Sequence, residues 1–207
     1  EKKIVFDLNK ITYIYYINIY SNQVHLQRKL ETSVNKFFIE RVRFIFKNYY
    51  GFRYDTINAV LSSTILQPAC VFERAKALES VRSTEEFINL SITARRITNI
   101  IAKSKNKSNF NTEKINSTEL ENGPEKRLYT KYVSVKKKTN KLLNQGKYQE
   151  TLSLIGTLRP LVDKFFDQIL IMSPDPVKRK NRLSILSGLE ELFSSVGNIS
   201  EIVIDSR

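Results

Sequence analysis

An all-α fold, a bundle of helices, is the class that this sequence predicts, and three observations predict it. Apolar residues recur at three-four spacing through most of the chain. Alternation of the strand kind is confined to YIYYINIY at 13–20, which suits a helix equally well. Gly and Pro fall where such helices would stop or start. A length of 207 residues suits one domain or two small ones, and 41% hydrophobic residues with 11% aromatics supply a core.

The first helix lies in VNKFFIERVRFIFKNYYGFRY, where Val34, Phe37, Phe38, Val42, Ile45, Phe46 and Tyr49 form one apolar stripe, and Gly51 is placed to end the helix in a left-handed cap. Asp55 begins a second, DTINAVL. Pro68 ends or interrupts the next segment, and ACVFERAKALESV is a third. Ser83 with Glu86 makes a capping box for a fourth, which runs to about Lys103. The stretch from Ser104, rich in Asn, Ser and Lys, predicts an exposed loop at about 104–124. Next come a helix from about Glu125 to Gln145 and a helical stretch through YQETLSLIGTLRPLVDKFFDQILI. There Pro160 sits in the first turn of a helix carrying Val162, Phe165, Phe166, Ile169 and Leu170. Asp175 and Pro176 announce the last helix, to about Val196.

Charge narrows the function. The 34 Lys and Arg against 21 Asp and Glu give +13, which favours a polyanionic partner, nucleic acid or an acidic membrane surface. Residues 95 to 150 hold 14 Lys or Arg against 5 Glu, and VKKKTNKLLNQGK at 135–147 is the densest part. The fourth helix is the more specific signal. At about 100° per residue, Phe87, Leu90, Ala94, Ile97 and Ile101 fall within roughly 80°, and Arg95, Arg96, Asn99 and Lys103 fall within roughly 100° on the other side. Arg and Asn carry fork donors and a mixed amide, the groups that read the edges of splayed bases. A solvated charged face is the plain alternative. Phe165 and Phe166 are expected in the core rather than as stacking platforms.

Catalytic patterns do not emerge. One cysteine, Cys70, and one histidine, His25, leave no internal disulfide and little room for zinc sites or nucleophile–base pairs; a reducing compartment is the natural inference. No glycine-rich phosphate loop occurs. Asp163 and Asp167, one turn apart, are better read as partners of Arg159 and Lys164 than as a catalytic pair. The apolar run at 11–20 is too short to span a bilayer, and the start, EKKIVFDLNK, has neither Met nor a signal-peptide layout, so a fragment of a longer chain is expected.

Four blocks, FFIERVRFIFKNYYGFRYDTINAVL, FERAKALES, ARRITNIIAK and GKYQETLSLIGTLRPLVDKFFDQILIMSPDPVKRKNRLSIL, resemble in order and spacing the C-terminal part of the beta subunits of bacterial-type glycyl-tRNA synthetases. The resemblance covers about Val34 to the end; residues 1–33 match loosely, and the loop from Ser104 to Gly123 carries no family signature. The last third resembles the DALR-type anticodon-binding domain of aminoacyl-tRNA synthetases. The resemblance implies a lead-in at 1–33 packed on an upstream domain and a helical anticodon-binding domain at 34–207. It implies a cytoplasmic hetero-oligomer with an alpha subunit, which activates glycine with ATP and magnesium, while the beta subunit captures glycine tRNA. This segment would carry no cofactor, catalytic residue, metal ligand or membrane contact. Carried over residue by residue, the family's basic helix matches Arg95, Arg96, Asn99 and Lys103, and its terminal motif matches Asn181 and Arg182. Lys136, Lys137 and Lys138 would add phosphate contacts. For Arg96, Asn181 and Arg182 a packing role, with Arg182 in a buried ion pair, stays open. The rival classes are a scaffold module that binds only a partner subunit and a membrane-surface module.

Overall fold

The protein is described by a computed structural model that covers residues 24–62, 68–105 and 115–204, with side chains of 24–31, 68–69 and 105 left aside. The tyrosine-rich run at 13–20, most of the lead-in, the side chain of His25 and residues 106–114 lie outside the described residues. All regular elements among the described residues are helical: α1 (Val24–Asn48), α2 (Tyr54–Leu61), α3 (Pro68–Val81), α4 (Glu85–Lys105), α5 (Pro124–Asn144), α6 (Tyr148–Gly156), α7 (Arg159–Gln168) and α8 (Pro176–Phe193). Short 3-10 turns lie at Ser117–Glu119 and Ile199–Glu201. No described helix is long and apolar enough to cross a membrane.

Local chemistry sets the boundaries. Gly51 takes φ 67°, and the Phe52 N–H donates to the Phe46 carbonyl at 3.0 Å, a closure that leaves the two rings 5.5 Å apart. That is the left-handed stop expected of glycine, with its customary apolar contact. The expected stripe of α1 is only partly right. Phe46 is buried, and Val42 and Ile45 pack on the core, but Phe37 and Tyr49 are 66% and 77% exposed. Phe37 lies more than a quarter-turn from the face that the packed residues share, and Tyr49 lies past the helix end.

Pro68 opens α3, and the segment just before it, at 63–67, lies outside the described residues. The cap of α4 also moves: Thr84 Oγ1 accepts from the Phe87 N–H at 3.3 Å, so the box expected of Ser83 and Glu86 does not form. Pro160 sits in the first turn of α7 as expected, but α7 stops at Gln168; Ile169 is extended and Leu170 is exposed. Asp175 caps α8, accepting from the N–H groups of Val177 at 2.8 Å and Lys178 at 3.3 Å.

α4 is the central helix. It packs against α8, α7, α6 and the second 3-10 turn, burying Leu90, Ile97 and Ile101, while α5 packs on α6, α7 and α8. At the α5–α8 crossing, a Cβ added to Gly188 would lie 2.6 Å from Tyr132 Oη, so glycine sets how closely the two helices meet. The loop after α4 is fastened from residue 115 onward, with Ile115 and Leu120 packed on the core.

A buried ion pair, missed in the sequence, ties the first half of the chain to its end. Arg82 grips Asp55 with two hydrogen bonds of 3.0 and 2.9 Å, and the Val203 N–H donates to the same carboxylate at 2.7 Å. Burial pushes the Asp55 carboxyl up, but the Arg82 and Val203 hydrogen bonds and the Arg82 charge outweigh it and hold the group below its usual 3.8. A carboxyl lowered on folding contributes stability that is complete above its unfolded value and is lost as pH falls through the folded value. Asp55→Asn should therefore lower stability by roughly 1.5–3 kcal/mol at pH 7. Urea unfolding from pH 7 downward checks this: the two proteins should converge below about pH 4, and a constant gap would refute the assignment.

Candidate nucleic-acid interface

The outer face of α4 gathers four of the residues singled out in the sequence. Arg95, Arg96, Asn99 and Lys103 line one shallow depression of about 390 Å³ with Ile92 and Ile100. All four are exposed. They do not act alike. Arg95 donates from Nε to the Ser200 carbonyl at 3.1 Å and from Nη2 to the Ile202 carbonyl at 2.8 Å, so it fastens the C-terminal stretch to α4. The guanidinium carbon of Arg96 lies 4.0 Å from the centroid of Phe166, on α7. This stack settles a planar cation against a half-buried ring and leaves its N–H edge outward. Asn99 and Lys103 make no hydrogen bond among the described residues.

Ile92, Arg96, Asn99 and Lys103 follow one another at four, three and four residues, so they form one ridge. Ile92 was not singled out in the sequence. Its signal was there: an isoleucine placed off the buried stripe, one turn before Arg96. Phe166, expected in the core beside fully buried Phe165, is half-buried and packs against the core, and it also bears Arg96.

Asn181 and Arg182 are corrected by their surroundings. Both are buried. The Asn181 side-chain amide pairs with the backbone of Asn116, accepting from its N–H at 2.9 Å and donating to its carbonyl at 3.1 Å. Arg182 donates from Nη1 to the Leu170 carbonyl at 2.9 Å, from Nη2 to Glu121 at 2.9 Å and from Nε to Glu125 at 3.3 Å. These groups hold helices and loop together and present no surface to a ligand. The two carboxylates respond in opposite ways. A hydrogen bond from Lys178, with the charge of Arg182, holds Glu121 below its usual value, whereas burial pushes Glu125 up despite Arg182.

The lysine run divides as well. Lys136 Nζ lies 3.0 Å from Glu191 on α8 and 3.2 Å from Tyr132 Oη. Burial alone would lower Lys136, but these partners raise it, so it is a charged tie between helices. Lys137 and Lys138 are exposed on α5, away from the depression on α4. Asp163 pairs with Arg159 at 3.3 Å, the ordinary ion pair expected.

The described residues form an all-helical module with an exposed cationic ridge and with inward-facing cations tied to carboxylates and carbonyls, an arrangement suited to a polyanion. The chain belongs to the DALR anticodon-binding domain family, whose profile matches residues 90–202. It is 35% identical over 200 residues to the glycine–tRNA ligase beta subunit of Photorhabdus laumondii, covering 97% of this chain. It is 36% identical over 200 residues to that of Pectobacterium atrosepticum, again over 97% of the chain, and 29% identical over 203 residues to that of Clostridioides difficile, over 98%. The chain spans about 28% of the length of each of these relatives.

Arg182→Ala would leave Glu125, whose side chain is 1% exposed, buried without its main partner. A loss of about 3–5 kcal/mol is expected, read as a lowered thermal midpoint. RNA discrimination measured well below that midpoint should be unchanged. A variant that melts normally but discriminates poorly would return Arg182 to the binding surface.

Proposed function

We propose that this chain is the anticodon-recognition part of a glycine–tRNA ligase beta subunit, and that it reads the anticodon loop of glycine tRNA with the outer ridge of α4. The observation that carries this reading is the α4 ridge itself: Arg96 stacked on Phe166, with Asn99 and Lys103 unengaged beside it, inside the matched segment. In this reading the whole enzyme joins glycine to its tRNA in the cytoplasm as a hetero-oligomer. The alpha subunit uses ATP with magnesium, and this segment supplies no catalytic group and touches no membrane.

The chemistry suits unpaired cytosines, which offer an amino donor and two acceptors on the pairing edge. The Arg96 edge donates to the acceptors. The Asn99 amide oxygen accepts from the amino group, or its nitrogen donates. Ile92 gives the base an apolar neighbour, and Lys103 faces phosphate. Arg95 positions: by fastening residues 200 and 202 it holds the C-terminal stretch against the reading helix. Lys137 and Lys138 contact phosphate without reading sequence.

A scaffold role is the second reading, favoured by Phe37, Phe44 and Tyr49, which stand exposed on and just beyond α1. The two readings differ in salt dependence, strong for RNA and weak for an apolar docking face.

Asn99→Ala and Arg96→Ala should each lose about 1–3 kcal/mol of affinity for glycine tRNA and relax discrimination against an anticodon-swapped tRNA, whereas Lys137→Ala and Lys138→Ala should weaken both RNAs alike. Filter binding of both tRNAs checks this. Equal losses on both RNAs from Asn99→Ala and Arg96→Ala would remove the ridge from base reading.

A further inference from the structure

We infer that the outward face of α5 is a second RNA-binding surface, a rail that lies along the phosphate backbone of a duplex stem. The inference rests on the anticodon reading for the identity of the RNA, and it joins Lys137 and Lys138 with four further cations of the same helix.

Lys126, Arg127, Lys131, Lys137, Lys138 and Lys141 are all exposed on α5. Counting about 100° per residue, they occupy a sector of roughly 140° opposite the buried stripe of Leu128, Tyr132, Val135 and Thr139. The helix contains one acid, Glu125, and that is buried against Arg182. Glu191, on the neighbouring α8, is engaged by Lys136, which lies outside this sector. Except for a long contact from Lys126 to Asn122 at 3.5 Å, the six cations make no hydrogen bond or ion pair among the described residues. Six like charges on one face repel one another, and nothing on the helix relieves them.

Shape then selects the ligand. From Lys126 to Lys141 the helix rises about 22 Å, enough to follow a run of phosphates. A shallow trough of about 560 Å³ lined by Lys126, Arg127, Thr130, Lys131 and Ser134 runs along its first half. The Ser134 hydroxyl adds a polar group suited to phosphate oxygens, while that of Thr130 donates to the Lys126 carbonyl at 2.9 Å. The face offers no exposed aromatic ring for a base to stack on, Val133 being its one large exposed apolar residue. Unpaired strands are held by stacking as well as charge, whereas A-form duplex is held by its backbone. The face therefore fits a stem, and the α4 ridge fits a loop.

The test uses the full chain with glycine tRNA and an anticodon-swapped tRNA over a salt series, with hydroxyl-radical footprinting of the RNA backbone. The variant replaces Lys126, Arg127, Lys131 and Lys141 by Gln, and a control replaces the three lysines by Arg. Each phosphate contact contributes about 0.7–0.9 to the slope of log affinity against log salt. The expected result is a slope smaller by about three in the Gln variant. Affinity should fall equally for both tRNAs, stem protection should be lost with loop protection kept, and the Arg control should behave as wild type. An unchanged slope, or loss of loop protection alone, would overturn the rail while leaving the anticodon reading in place. If wild type binds both tRNAs equally and the Gln variant still flattens the slope, the rail stands and the anticodon reading falls. A wild-type chain that holds neither tRNA would overturn both.

Discussion

Arg182 is the constraint on which the arrangement of this module depends. Its guanidinium is a rigid planar fork, nearly sealed from solvent, and three of its nitrogens point at three different parts of the chain: α5 through Glu125, the loop before α5 through Glu121, and the stretch after α7 through the Leu170 carbonyl. A buried cation cannot be left without partners, so these segments meet wherever α8 places it. Leu170 itself lies just past the end of α7, the helix whose Phe166 carries Arg96.

Helix content and the shared outer face of Arg95, Arg96, Asn99 and Lys103 were legible in the sequence because both rest on local periodicity. What periodicity could not supply was the use each polar group finds. Arg95, Arg96, Asn181 and Arg182 look alike as donors near one another in a helical pattern, yet one clamps carbonyls about 105 residues away, one stacks, and two are buried. Their partners come from distant elements, Glu121 and Glu125 being 61 and 57 residues before Arg182. The Asp55–Arg82 pair was missed for the same reason. The cap at Thr84 rather than Ser83 shows a smaller limit: adjacent hydroxyl residues offer two equivalent starts, and tertiary packing chooses between them.

The charge balance gains meaning from the same geometry. Asp55, Glu121 and Glu125 answer cations in the interior or at its edge, and Glu191 and Asp163 answer cations between helices or along one. Acids are thereby drawn into ties within the fold, while Lys103, Lys137 and Lys138 face solvent without such ties. The potential felt by an approaching polyanion is therefore more positive over α4 and α5 than the composition alone conveys.

The meeting of Asp55 with the Val203 N–H, 148 residues apart, bears on the order in which the chain acquires its shape. Helices form in place from neighbours, but a contact of this span closes more than two thirds of the chain into a loop and has to wait for its far end. During synthesis α1 to α3 emerge from the ribosome long before Val203, and Arg95 likewise waits for residues 200 and 202. The helix that carries the exposed cationic ridge is thus formed early and fastened last, so a nascent chain acquires the finished surface only when its final described residues have been made.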